Sequence, residues 1–297
     1  RHVSGVIVRI FDHTQQRRPC GARAGVGHGE CAGLDRQPPH LRFDCTGLGA
    51  PRLWRQYHKG AYMIIGHIGV RKGSKGVPGK NFKPICGKPL IDWSLDQLLA
   101  HPQVNAVVVS TDDPEIYAHA VARGCLEIGL RPAHLATDAA GKWGVWAHAL
   151  QAAEALVGTA DAFLDLDATS PLRLPSDITG ALALYFDQRP DMVMSCCEAR
   201  KNPYFNLVEP DETGALHVSK PLAGGVVARQ AAPTVYEHAA STYVVRPGYL
   251  RSASALFEGR VIPYLMDPER CVDIDSPFDF KLVEFLLNER LKEAEHG

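Results

Sequence analysis

Two stretches of the sequence carry residue types and spacings suited to chemistry. In "GVRKGSKGVPGKN", residues 69–81, the cations Arg71, Lys72, Lys75 and Lys80 stand among glycines, directly after the apolar run "YMIIGHI". A Gly-rich turn leaving a buried strand exposes backbone N–H groups that cradle phosphate. Arg adds bidentate contacts to phosphate oxygens. Far downstream, "CVDIDSP" sets Asp273 and Asp275 at i and i+2. On an extended segment both carboxylates point the same way. Two hard oxygen donors on one face suit Mg²⁺, which keeps its other positions for water and phosphate. A polyphosphate held by the loop and bridged by a metal to an incoming nucleophile is the chemistry this pair of features implies. The bland alternatives are a solvated basic loop and a solvated acidic turn before a capped helix.

Familiar phosphate loops do not fit. GxxxxGK[ST] fails because Asn81 follows Gly79-Lys80 and Ser74 stands five residues before Gly79. GxGxxG fails because Gly73, Gly76 and Gly79 are spaced by three. A kinase loop would need an HRD segment, which is missing. The histidines, including His67 and His148, form neither HxH nor HExxH and read as ordinary core or surface residues.

The elements that must position these residues alternate. "MIIGHIGV", "NAVVVST", "AFLDLDAT" and "MVMSCCEA" read as strands. "KPLIDWSLDQLLAH", "DDPEIYAHAVARG", "GVWAHALQAAEAL" and "SDITGALALYFDQ" read as helices between them. This order predicts an α/β fold, Rossmann-like, with a mostly parallel sheet covered by helices on both faces. Ligands in such folds sit at the carboxyl ends of strands, near a topological switch point. The Gly-rich loop lies at such an end. Residues 201–246 break the pattern with a β-rich excursion of the kind that builds a lid or subunit contact. Ser276, Pro277 and Asp279 cap a last helix. Phe278, Leu282, Phe285 and Leu286 would form its apolar face.

The chain has 297 residues, is 45% hydrophobic and has a net charge of −1. That balance points to neither nucleic acid nor an anionic membrane as partner. No apolar run approaches the ~20 residues needed to span a bilayer. Eight cysteines without a CxxC pair, including Cys196-Cys197 in an apolar run, suit reduced thiols and a cytoplasmic location. Residues 1–60 hold ten Lys/Arg against four Asp/Glu and show no sustained period. We read 1–62 as an extension outside the working protein, with Met63 as its natural start and 63–297 as one domain. A transit peptide is the rival reading, though Ser4 is the stretch's one serine.

With these residues in view, a resemblance emerges. "RKGSKGVPGKN", "GKPLIDWS", "VVVSTDDPEI", "LRPAHLATD", "TSPLR" and "VDIDSPFDF" occur in that order from about Met63 to Leu291. Together they resemble the acylneuraminate cytidylyltransferases, or CMP-sialic acid synthetases. "NPYFNLVE" is similar to the branch acting on legionaminic acid. The resemblance implies a nucleotidyltransferase in which a nine-carbon 2-keto sugar acid attacks the α-phosphorus of CTP, giving CMP-sugar and pyrophosphate, with Mg²⁺ as cofactor and a homodimer as assembly. On the matched positions, Arg71 and Lys80 would hold the triphosphate, Ser74 would meet developing charge and Asn81 would contact the nucleoside. Arg131 would face the cytosine. Asp273 and Asp275 would bind the metal, and one of them, Asp275 in our assignment, would help deprotonate the sugar hydroxyl. Two departures stand out. The family often has Gln-Pro where this chain has Asp167-Ala168, and Ser near the cytosine where it has Lys142. Asp167, with Asp165 on the same face, could read sugar hydroxyls or add a metal ligand, as an acid does in the related Kdo family. Lys220 or Arg229, in the excursion, could receive the sugar carboxylate. Kdo or another sugar as acceptor, and a non-catalytic nucleotide-binding protein, remain the alternatives.

Overall fold

The structure, a computed structural model, describes residues 62–73 and 76–296. The expected extension, apart from Tyr62, lies outside the described residues, as do Ser74 and Lys75.

β1 (Ile64–Gly69) shows how the sheet divides its side chains. Ile64 and Ile68 join one core cluster, whereas Ile65 joins another on the opposite face. The chain continues through a short hairpin of β2 (Pro84–Ile85) and β3 (Lys88–Pro89), then α1 (Leu90–Ala100), β4 (Ala106–Ser110) and α2 (Pro114–Ala122). The hairpin's two loop residues both have positive φ, 49° at Cys86 and 77° at Gly87. That is the twist a two-residue turn requires. Next come α3 (Lys142–Val157), β5 (Ala162–Leu166), α4 (Pro175–Gln188) and β6 (Met192–Glu198). Asp113 caps α2 by accepting from the Glu115 N–H, with Pro114 in the first turn, as its sequence predicts.

Six strands form the main sheet in the order β10-β6-β9-β5-β1-β4, where β9 is Tyr236–Val245 and β10 is Val261–Leu265. β1 pairs in parallel with both β4 and β5, and β10 pairs in parallel with β6. β9 runs antiparallel between β5 and β6. Because β4 and β5 flank β1 on opposite sides, a crevice opens at the carboxyl ends of β1 and β5. Helices α1, α2 and α4 cover one face. The other is covered by α3 and α5 (Pro247–Ser252). The expected α/β architecture is therefore what the chain adopts.

Two expectations need correcting. The stretch 236–245 is no part of a lid: it is β9, in the middle of the sheet, with Tyr243, Val244 and Val245 buried. The excursion proper is confined to the preceding residues, which carry the small hairpin of β7 (Val208–Pro210) and β8 (Leu216–Val218). The other correction concerns α6 (Pro277–His296). Its buried residues are Phe280, Val283 and Leu287, whereas Phe278 is 72% and Phe285 60% exposed. Both sets have helical spacing. The choice was made by contact with Ile85, Leu90, Leu172 and Ile274, on which the first set is buried, while Leu286 of the expected face is partly buried against the same cluster. Ser276 and Asp279 form the expected reciprocal cap: the Ser276 N–H donates to Asp279 Oδ2 at 2.7 Å, and the Asp279 N–H donates to Ser276 Oγ at 3.3 Å.

Candidate active site

Three connections bring the site together at the strand ends. The loop after β1 carries Arg71, Lys80 and Asn81. The loop after β5 carries Asp167. The segment before α6 carries Asp273 and Asp275. All six residues line one cleft of ≈ 490 Å³.

The cation loop is held largely by its own polar groups. Asn81 Nδ2 donates to the Arg71 carbonyl at 3.2 Å, closing the loop on itself. The Arg71 guanidinium pairs with the Asp138 carboxylate. Lys80 Nζ donates to the Ile274 carbonyl at 2.8 Å and stands 3.8 Å from Asp275 Oδ1. Lys80 thus ties the phosphate-type loop to the acid pair. Gly76 permits the approach: a Cβ there would lie 1.9 Å from the Asp275 carbonyl oxygen. Ser74 falls outside the described residues.

The acid segment is pinned on its other side, where the Ile274 N–H donates to the Thr169 carbonyl at 2.9 Å. Asp275 is exposed, while Asp273 is partly buried. Burial, then the neighbouring Asp275, pushes the Asp273 carboxyl above the usual range. Both acids reach the cleft as their spacing predicts, from irregular backbone rather than a strand.

Arg131 is buried under the rim of the cleft and donates to the Ser110 hydroxyl at 3.0 Å and to the Ser110 carbonyl. Its partners sit at the end of β4, so it is fixed beside Gly69 and Val70 at the head of the loop. Burial lowers its basicity, which Asp112 opposes and Arg71 reinforces.

Beside Asp167 lies a string of charged groups in which His67 and Asp165 are fully buried and Lys142 is about one-third exposed. Asp165, fully buried on β5, accepts from His67 Nδ1 at 2.6 Å, which fixes the imidazole proton on that nitrogen. Lys142 Nζ stands 3.0 Å from Asp165 Oδ2 and donates to Asp167 Oδ1 and Oδ2 at 2.7 and 2.6 Å. Its ammonium also lies 4.1 Å from the centre of the Tyr243 ring. Burial opposes the charge of Asp165, but Lys142 and His67 outweigh it and hold the carboxyl at about 2. Burial also works against Lys142, and the two carboxylates overcome it, raising its pKa. Asp167, the second acid on one cation, is pushed up by its burial and by Asp165 despite Lys142. The two positions at which the sequence departs from its family pattern, 142 and 167, are therefore direct partners.

Arg173 received no role from the sequence, although "TSPLR" contains it. It is 1% exposed and donates to Gln97 Oε1, Ser94 Oγ, and the hydroxyl and carbonyl of Ser241. Ser94 Oγ in turn donates to the Asp167 carbonyl at 3.0 Å. A lone cation between Leu172 and Leu174 was the available signal: in such a place it is either paired or unstable.

Two sequence candidates stand apart. Arg229 donates to the Ala199 and Arg200 carbonyls and lines a separate depression of ≈ 230 Å³. Lys220 is exposed, with its ammonium 5.9 Å from the centre of the Tyr204 ring. Neither lines the cleft.

Comparison with known proteins identifies the family. A family model described as cytidylyltransferase matches residues 65–267. The chain is 35% identical over 232 residues to post-translational flagellin modification protein B of Campylobacter coli, covering 78% of this chain and 97% of that protein. It is 36% identical over 226 residues to the CMP-N,N'-diacetyllegionaminic acid synthase of Campylobacter jejuni, covering 76% and 95%. An N-acylneuraminate cytidylyltransferase of Escherichia coli is 29% identical over 221 residues, 74% of this chain and 51% of that longer protein. Among solved structures, a CMP:2-keto-3-deoxy-manno-octonic acid synthetase complexed with CTP superposes with a TM-score of 0.55 at 18% identity, covering 77% of this chain and 99% of that one. With its cations and carboxylates gathered at the strand ends and with these relatives, the chain belongs to the cytidylyltransferase family and is a nucleotidyltransferase.

Proposed function

We propose that this enzyme joins CMP from CTP to a nine-carbon 2-keto sugar acid of the N-acylneuraminate or legionaminate type. The anomeric oxygen attacks the α-phosphorus, the bond to the β-phosphate oxygen breaks, pyrophosphate leaves and the hydroxyl proton is lost. The observation that carries this reading is the shared cleft: Arg71, Lys80, Asp167, Asp273 and Asp275 line it together, with Lys80 beside the acid pair. In this assignment Arg71 and Lys80 hold the triphosphate, Arg131 and Asn81 the nucleoside, and Asp167 the sugar. The name of the Campylobacter jejuni relative, at 36% identity, supports a legionaminic-type acceptor. One observation favours Kdo as a second reading, the acid at 167 in place of a neutral side chain.

Mg²⁺ is the cation this donor set suits. Asp273 and Asp275 are two carboxylates beside an open cleft, and the crowding that pushes the Asp273 carboxyl up is relieved by a dication. When bound, the metal would neutralise phosphate charge during transfer. We also place the enzyme in the cytoplasm as a homodimer. Among the described residues no helix is long and apolar enough to cross a membrane, and Cys86, Cys125, Cys196, Cys197 and Cys271 carry free thiols. Exposed Leu207, Val208, Leu216 and Val227 on the excursion are the apolar surface a second subunit would cover.

Pyrophosphate release tests the reading, with CTP, Mg²⁺ and N-acetylneuraminic acid, legionaminic acid, pseudaminic acid or Kdo supplied separately. Release with a nine-carbon acid is expected. Release with Kdo alone would replace this acceptor with the second reading, and release with none would overturn the proposal.

A further inference from the structure

Lys142 occupies an unfavourable place for a cation. It is the first residue of α3, where the helix dipole repels positive charge, and Gly141 before it offers no side-chain cap. Its stem lies against the rings of Tyr243 and Trp146, with the ammonium 4.1 and 5.2 Å from their centres. What holds the ammonium there is the pair of carboxylates at 2.6–3.0 Å. Asp167 lines the cleft, whereas Lys142 does not. The cation therefore meets the cleft through Asp167, the member of the pair that lines it.

Asp167 is fixed in every other way as well. Its N–H donates to the Ser241 carbonyl at 3.0 Å, and its carbonyl accepts from Ser94 Oγ. Arg173 holds both of those serines. With the backbone immobilised, the remaining freedom is rotation and protonation of the carboxyl. Lys142 bonds to each oxygen, which stops the rotation, and its charge works against the protonation that burial and Asp165 favour.

We propose that Lys142 is a positioning residue for acceptor selection: it holds Asp167 as an oriented, acceptor-only carboxylate that reads hydroxyl or amide N–H donors of the sugar acid. This deepens the function proposed above and rests on it. The acceptor's own carboxylate is excluded from this side of the cleft by like charge. The sequence-based placement of Lys142 on the nucleotide gives way to one on the acceptor side.

The test is steady-state kinetics on the full chain with Lys142→Met, Lys142→Arg, Asp167→Asn and the Lys142→Met/Asp167→Asn double variant. Lys142→Met and Asp167→Asn are each expected to raise KM for the sugar acid at least about tenfold while KM for CTP changes less than about twofold. The double variant should be no worse than Asp167→Asn, because the two act as a unit. Lys142→Arg, which keeps the cation, should recover part of the loss. A rise in KM for CTP instead would show that Lys142 serves the nucleotide, and would overturn the inference. A lowered melting temperature with unchanged KM for the acid would also overturn it, leaving Lys142 a merely structural residue. Should Lys142→Met fail to fold, Lys142→Arg, which keeps a cation beside Asp165 but changes the bonds to Asp167, and Asp167→Asn decide the matter by the same split. Failure of the unsubstituted enzyme to use any sugar acid is seen before any variant is read; it strikes the functional reading itself, and the inference falls with it.

Discussion

The cation loop and the charged floor beneath Asp167 handle charge in opposite ways. In the loop, Arg71 is about one-third exposed and its acid partner Asp138 half exposed, while Lys80, largely buried, bonds a backbone carbonyl and stands 3.8 Å from Asp275. The Arg71 pair is weak in water and yields easily to a polyphosphate. In the floor, Asp165 is fully buried, bonded by His67 and paired with Lys142 before any ligand arrives. A region that receives charge must keep its own charges exchangeable. A region that reads shape and hydrogen-bond donors must have its charges settled in advance.

Substitutions can break or sharpen that contrast. The largest expected effect is at the acid pair: Asp273→Ala should lower kcat/KM by more than about a hundredfold while leaving the urea midpoint in place, since the side chain is only partly buried and, among the described residues, accepts no structural bond from another. Next is stability in the floor. Asp165→Asn leaves Lys142 sharing one carboxylate and should cost about 3–5 kcal/mol in urea denaturation. Arg173→Ala strands the buried polar groups of Ser94, Gln97 and Ser241 and should cost more than about 2 kcal/mol by the same measurement. A smaller effect belongs to Gly76→Ala, whose methyl meets the Asp275 carbonyl. The loop and the acid segment must separate, so KM for CTP should rise several-fold with little change in melting temperature. Smallest is Phe278→Ser, which should change stability by less than about 0.5 kcal/mol because that ring is exposed.

The floor also sets an acid limit on stability. Asp165 is held at about 2, below the ordinary carboxylate value of 3.8. A depressed carboxyl stabilises the fold fully above its unfolded value and loses that contribution as pH falls through the folded one. Melting temperature should therefore decline between about pH 4 and pH 2, and Asp165→Asn should flatten that part of the profile.

Much of this was legible in the sequence. Strand and helix order followed from apolar period, and the cap residues of α2 and α6 stand where their types predict. Arg71, Lys80, Asn81, Asp273 and Asp275 line the cleft because each sits on a loop at the same end of the sheet. What local pattern could not supply was pairing over distance. The contact of Lys142 with Asp167 spans 25 residues, and that of Lys80 with Ile274 spans 194. Period alone also could not choose between two faces of α6, since Phe278 and Phe285 repeat as regularly as Phe280, Val283 and Leu287. Nor could pattern place β9: irregular residues before "STYVVR" set it with the excursion, whereas pairing with β5 and β6 puts it in the main sheet.

The most direct test of the contrast between loop and floor is a matched kinetic comparison of Lys80→Ala and Asp167→Asn, varying CTP and sugar acid independently. The account predicts that Lys80→Ala raises KM for CTP or lowers kcat without weakening the acid, and that Asp167→Asn raises KM for the acid alone. If both variants move the same parameter, or if each moves the other's, the division of the cleft into a phosphate-receiving loop and an acceptor-reading floor is wrong.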